Sequence, residues 1–222
     1  MNYLFSFGPW IRSPGIRRAW LALLLGLPLR AAALPLISEV YYDAPGADAG
    51  QTFVEIHAPP GTRLDGWRLE GINGANGAAG PVVTLFGVVP EDGFYVVADD
   101  AGGGVTWVPG ANQVADIDLQ NGPDSLVLLG PGGVRDAVGY GTFGPGETFA
   151  GEGEPAPDVS AGHSLERWFA DLDTNDNALD FAVLSEPTPG WAPVLTVPEP
   201  PSLALLSVGV LLTCAARGRQ RS

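Results

Sequence analysis

The chain has 222 residues, 45% of them apolar, with 31 glycines, 21 prolines and a formal net charge of −14 at pH 7. Such an excess of acid repels nucleic acid and anionic lipid surfaces, which excludes binding to either through a basic patch. The single cysteine, Cys214, lies in a C-terminal apolar run, so the rest of the chain has neither a disulfide nor thiol chemistry.

The N-terminus carries Arg12, Arg17 and Arg18, then an apolar stretch over 19–29, then Ala31-Ala32-Ala33. A basic start, a short greasy core and small residues at Ala31 and Ala33 predict a signal peptide over 1–33, cut after Ala33. Arg17-Arg18 also suits the twin-arginine route, although Ile16 stands where a Ser or Thr is usual, so two export routes fit. Between Leu34 and Pro200 only Arg63, Arg68, Arg135 and Arg167 face all 25 acidic residues. That balance suits an exported soluble domain or one that holds divalent cations.

Over 34–192 the sequence reads as short strands separated by Gly, Pro, Asn and Asp, predicted at 36–42, 52–57, 67–72, 82–86, 94–98, 125–129, 134–140 and 164–168. No stretch keeps an apolar helical period for three turns, and the turn spacing argues an antiparallel sandwich or barrel. Phe53-Val54-Glu55-Ile56-His57 alternates as a half-buried strand should. Ser125 to Leu129, the Gly130-Pro131-Gly132-Gly133 turn and the strand ending at Tyr140 predict a hairpin, central by its apolarity. Gly71, Gly74, Gly77 and Gly80 recur every three residues without intervening proline, which predicts a surface loop rather than a collagen-like segment.

After this domain come a Pro-rich linker over 193–200, an apolar run within 201–222, and a basic stop of Arg217, Arg219 and Arg221. The run from Leu203 to Ala216, about 14 residues, makes roughly 21 Å of helix, short of the ~30 Å hydrocarbon core. Val197-Pro198-Glu199-Pro200, the short apolar segment and the Arg-rich end together resemble the sorting tail of PEP-CTERM proteins of exopolysaccharide-producing Gram-negative bacteria. The resemblance covers Val197 to Ser222 only. It implies an inner-membrane intermediate whose Pro198-Glu199-Pro200 motif is recognised by an exosortase, then delivery to the cell surface or extracellular matrix.

A second resemblance spans most of Leu36 to Gly190. Ile37-Ser38-Glu39-Val40-Tyr41-Tyr42, Phe53-Val54-Glu55-Ile56 and Leu64-Asp65-Gly66-Trp67-Arg68-Leu69 are similar to the opening strands of a lamin-tail domain. Asn121 to Leu129, Asp136 to Gly141, Ser164-Leu165-Glu166-Arg167 and Thr188-Pro189-Gly190 follow in that family's order. Ala58-Pro59-Pro60-Gly61 departs from the family's usual Asn-Pro turn. The resemblance implies an all-β, immunoglobulin-like antiparallel β-sandwich, here flanked by an N-terminal signal helix and a C-terminal hydrophobic helix. It further implies a binding or spacing module without intrinsic catalysis.

Chemistry is sparse. Asp171, Asp173, Asn175 and Asp176 place oxygen-bearing side chains as a calcium ligand set can, although Asp176 and Ala182 fail the EF-hand pattern. The same residues also suit a polar turn whose Asx side chains cap their own backbone. Gly162-His163-Ser164-Leu165-Glu166 misses the nucleophile elbow by Glu166, and His57 and His163 alone do not make a zinc site. Of the four domain tryptophans, Trp67 and Trp168 are expected in the core, and Trp107, beside Pro109-Gly110, on the surface as a stacking platform for sugar. The expected function is that of an exported, non-enzymatic envelope or matrix protein. Its processing enzymes are signal peptidase and exosortase, its partner is exopolysaccharide or matrix, and it needs no cofactor. The alternative is a secreted carbohydrate- or calcium-binding adhesion module.

Overall fold

The computed structural model describes residues 34–192, so the signal peptide with Ala31 and Ala33, the sorting motif Val197 to Pro200 and the basic stop at Arg217, Arg219 and Arg221 lie outside the described residues. Ten strands are formed: β1 (Leu36–Tyr41), β2 (Phe53–His57), β3 (Arg68–Asn73), β4 (Ala79–Thr84), β5 (Phe94–Asp99), β6 (Gln113–Ala115), β7 (Asp124–Gly130), β8 (Gly133–Tyr140), β9 (Ser164–Arg167) and β10 (Phe181–Leu184). A single turn of helix, α1 (Asn177–Asp180), precedes β10. The strands make a six-stranded sheet ordered β10-β9-β1-β2-β5-β6 and a four-stranded sheet ordered β4-β3-β7-β8. Every pairing is antiparallel except that of β5 with β6.

One apolar core joins the two sheets. Ile37, Val40, Val54 and Ile56 from the larger sheet meet Leu69, Leu126, Leu128 and Val138 from the smaller, and Tyr42 stacks on Tyr140 with ring centroids 4.2 Å apart. This two-sheet, mostly antiparallel architecture is of the β-sandwich kind. All eight predicted strands are present, and β7 is central, between β3 and β8.

Three local expectations are corrected. The glycine series is a loop only in its middle: Gly74 and Gly77 lie in the turn between β3 and β4, but Gly71 lies in β3 and Gly80 in β4, the two arms of a hairpin, and a Cβ on Gly71 would come to 2.7 Å from Pro81. β2 is buried on both faces, because Tyr41, Ala44, Phe53, Val96, Ala98 and Val108 form a second apolar cluster on the outer side of the six-stranded sheet. Trp168 is 51% exposed rather than a core residue, while Trp67 packs partly buried against the core.

The unpredicted elements have weak local signals. β6 has three residues, and Gln113 works through its side chain, donating to the Thr84 carbonyl and accepting from the Tyr95 hydroxyl. The free edge of β8 is partly covered by buried Asn177, which accepts from the Gly139 amide and donates to the Ala137 carbonyl.

Candidate functional site

Trp107 is the most exposed large apolar side chain of the described domain, at 70%. Its backbone is firmly held. Gly102, Gly103 and Gly104 all have positive φ, a path open mainly to glycine. The Asp100 carboxylate caps that path by accepting from the amides of Gly102, Gly104 and Val105, which holds its pKa below the usual carboxylate range. The Trp107 amide then donates to the Gly50 carbonyl at 2.8 Å. The indole thus stands on a fixed base beside a groove lined by Tyr41, Phe53, Pro109, Pro187 and Pro189, with a volume of about 180 Å³. Tyr41 and Phe53 rings lie 5.7 Å apart at its floor. Flat apolar faces in this arrangement can stack on the apolar face of a sugar ring or on another flat ligand.

The acidic run is dispersed rather than convergent. Asp176 is the N-cap of α1, accepting from the Ala178 amide, and Asp173 accepts from the Asn175 amide, which lets Asn175 take a φ of 57°. These are the turn-capping roles open to Asx side chains. Asp171 lies near His57, whose pKa is lowered mainly by burial and drawn back up by that carboxylate. Asp173 alone of this run's acids joins a possible cation cluster: its carboxylate and those of Asp136 and Glu152 bring oxygens within 4.8 Å of one another.

A guanidinium already serves that cluster. Arg167 is fully buried and donates to both oxygens of Asp136 at 3.0 Å, to Asp180 at 2.8 Å and to the carbonyls of Ile37 and Leu172. Its Nη1 lies 3.8 Å from Asp173, and its carbon Cζ sits 4.6 Å above the Phe181 ring. Asp136 belongs to the smaller sheet and Arg167 to the larger, so this pair ties the sheets together. Burial raises the Asp136 pKa, against the pull of Arg167 and the Ile37 amide. Glu152 is pushed up to about 7 by burial and by the Asp136 and Asp173 charges, and its Oε2 is buried without a hydrogen-bond partner.

A row of three glutamates crosses the outer face of the larger sheet. Glu39 on β1 is in register with Glu55 on β2 and with Glu166 on β9. Glu39 accepts from the Ser164 hydroxyl and from the Thr188 amide and hydroxyl, and Glu55 from the Ser38 hydroxyl and the Gly190 amide. Glu166 is 7% exposed, and its Oε2 has no partner. Burial raises all three pKa values, Glu55 and Glu166 to about 8, with like-charge neighbours adding to both. At a cross-strand spacing of about 5 Å and an effective dielectric of about 20, two ionised neighbours repel by ~3 kcal/mol.

Ser164 is therefore a buried hydrogen-bond donor to Glu39, while His163 points elsewhere, its Nδ1 close to the Ser160 carbonyl, so the two do not form a nucleophile pair. Sequence reasoning missed Arg167, Asp136 and the glutamate row. The available signal was a charged residue at each inward or covered strand position, Glu39, Glu55, Asp136, Glu166 and Arg167. The chain matches no protein-family model, no curated protein and no solved structure.

Proposed function

We propose that this chain is an exported, non-enzymatic binding module with an immunoglobulin-like β-sandwich of lamin-tail type, sorted to the surface or matrix of a Gram-negative bacterium by exosortase action on Pro198-Glu199-Pro200. The ordered strand motifs and the two-sheet architecture support the domain reading. The observation that carries the binding role is Trp107, outward and rigidly based, over the groove floored by Tyr41 and Phe53. Uncharged sugar rings of exopolysaccharide or matrix suit a groove whose walls are aromatic and proline. The chain's acidic balance disfavours an anionic ligand.

The test is glycan-array and exopolysaccharide binding of the mature protein beside Trp107→Ala. Loss of one stacking platform lowers affinity by about tenfold. Equal binding by the variant removes the groove from the account, and turnover in a hydrolase screen removes its non-enzymatic part. Mass spectrometry of the mature C-terminus tests the sorting step: a chain ending near Pro198 to Pro200 supports it, and an intact Ser222 in the membrane fraction opposes it.

A second reading, calcium-dependent adhesion, is favoured by the convergence of Asp136, Glu152 and Asp173. Its weakness is Arg167, which already neutralises Asp136 from 3.0 Å.

A further inference from the structure

The segment after β10 returns over the outer face of the larger sheet, and its hydrogen bonds to that face end on carboxylates. Thr188 donates its amide to Glu39 at 3.1 Å and its hydroxyl at 3.2 Å, and Gly190 donates its amide to Glu55 at 2.7 Å. Beneath it, Glu39, Glu55 and Glu166 sit side by side on three adjacent strands, all buried. The third of them has an oxygen without a hydrogen-bond partner, so no donor offsets the cost of burying its ion.

Among the described residues no cation faces the row. Arg167, next to Glu166 in sequence, points to the opposite face of β9, toward Asp136 and Asp180. The charges that act on Glu55 are Glu39 and, from the turn before β5, Asp92; those that act on Glu166 are Glu39 and Glu55. On β2 the next side chain of that face is His57, held toward its neutral form by burial. The strap itself contributes only Glu186, which is exposed. Burial opposes ionisation throughout the row, and like charges add to it at Glu55 and Glu166; together they outweigh the Ser164, Thr188, Ser38 and Gly190 donors that favour the ions.

We propose that the glutamate row is a proton-operated latch: while it holds protons the Thr188–Gly190 strap is fastened to the sheet, and full ionisation releases it. Release frees Pro187 and Pro189 from the wall of the Trp107 groove. The latch does not depend on what the groove binds.

Hydrogen-exchange mass spectrometry of the full-length chain in mild detergent, at pH 6, 8 and 9.5 with labelling times scaled for intrinsic exchange, tests this. The peptide holding Thr188 and Gly190 loses protection by about tenfold per pH unit above the midpoint for each proton released. The β7 peptide keeps its protection throughout. Glu166→Gln, with one charge fewer, moves the midpoint to higher pH. Strap protection unchanged to pH 9.5, simultaneous loss in β7, or an unshifted midpoint in a folded Glu166→Gln each overturns the latch. Should that variant fail to fold, the titration of the unmodified chain decides alone.

Discussion

Arg167→Met removes the one guanidinium that neutralises Asp136 and Asp180 while keeping most of the apolar stem. In the native domain Arg167 makes two bonds to Asp136, one to Asp180 and one each to the Ile37 and Leu172 carbonyls, and none of the group is exposed. Breaking a buried ion pair by removing one partner costs ~3–5 kcal/mol, because the partner's charge stays behind without compensation. For a domain of this size that is roughly a 10 °C fall in Tm, at ~2–4 °C per kcal/mol. Urea unfolding followed by tryptophan fluorescence measures the loss. The loss shrinks as pH falls toward 4, because Asp136, whose pKa burial already raises, can then be buried as a neutral acid. It also shrinks when Asp136→Asn and Asp180→Asn are added to Arg167→Met. A single-variant loss below ~1 kcal/mol, or one equal at pH 4 and pH 7, would falsify the idea that charge compensation holds the sheets together here.

Stability of the whole domain falls as pH rises from about 5 to 8. Glu55 and Glu166 bind protons more tightly folded, near pH 8, than at their ordinary 4.5, so the native state carries the extra protons in that window. Each such group costs ~1.4 kcal/mol per pH unit between those values, and nothing below the lower one. Asp65 and Asp100, held below their ordinary values, act oppositely and lose their contribution in acid, so the optimum is mildly acidic. A Tm that rises between pH 5 and 8 contradicts this sign. Asn177→Ala leaves the Gly139 amide and Ala137 carbonyl unpaired under α1 and costs about 1–3 kcal/mol for each buried group, read by urea unfolding. Millimolar Ca²⁺ moves the Tm by less than about 1 °C, since Arg167 already fills the cationic role beside Asp136; a rise of several degrees that Asp173→Asn abolishes favours the calcium reading instead.

The fold was readable where burial and local pattern agree. β7, Leu126 to Leu129 within it, is continuously apolar and stands in the middle of its sheet, as a strand covered on both sides and paired at both edges should. β2 shows where the pattern misleads. Phe53, Glu55 and His57 alternate with Val54 and Ile56 as a half-exposed strand does, yet Glu55 is buried, because the strap and the Val108 segment close over that face. Periodicity gives the two faces of a strand. Whether a distant segment covers the polar one depends on contacts with residues more than 130 positions away, such as Gly190 on Glu55.

The same distance explains the candidate sites. Trp107 was visible because glycines and prolines around it leave no core for an indole to enter, and its exposure follows from that local composition. The groove beside it was not visible, since its walls come from β1, β2, the Trp107 loop and the strap. Asp173 was visible as one acid in a run, but its neighbours in space are Asp136 and Glu152, and the turn geometry sends Asp171 and Asp176 elsewhere. Charge at covered strand positions is the signal that links these cases. Glu39, Glu55 and Glu166 interrupt otherwise good strands, and an acid costs several kcal/mol to bury as an ion unless a partner or a proton meets it. Arg167 is the partner for Asp136 and Asp180; the glutamate row has only hydroxyls, amides and protons to meet it, and its position under the strap makes protonation a condition of the closed fold.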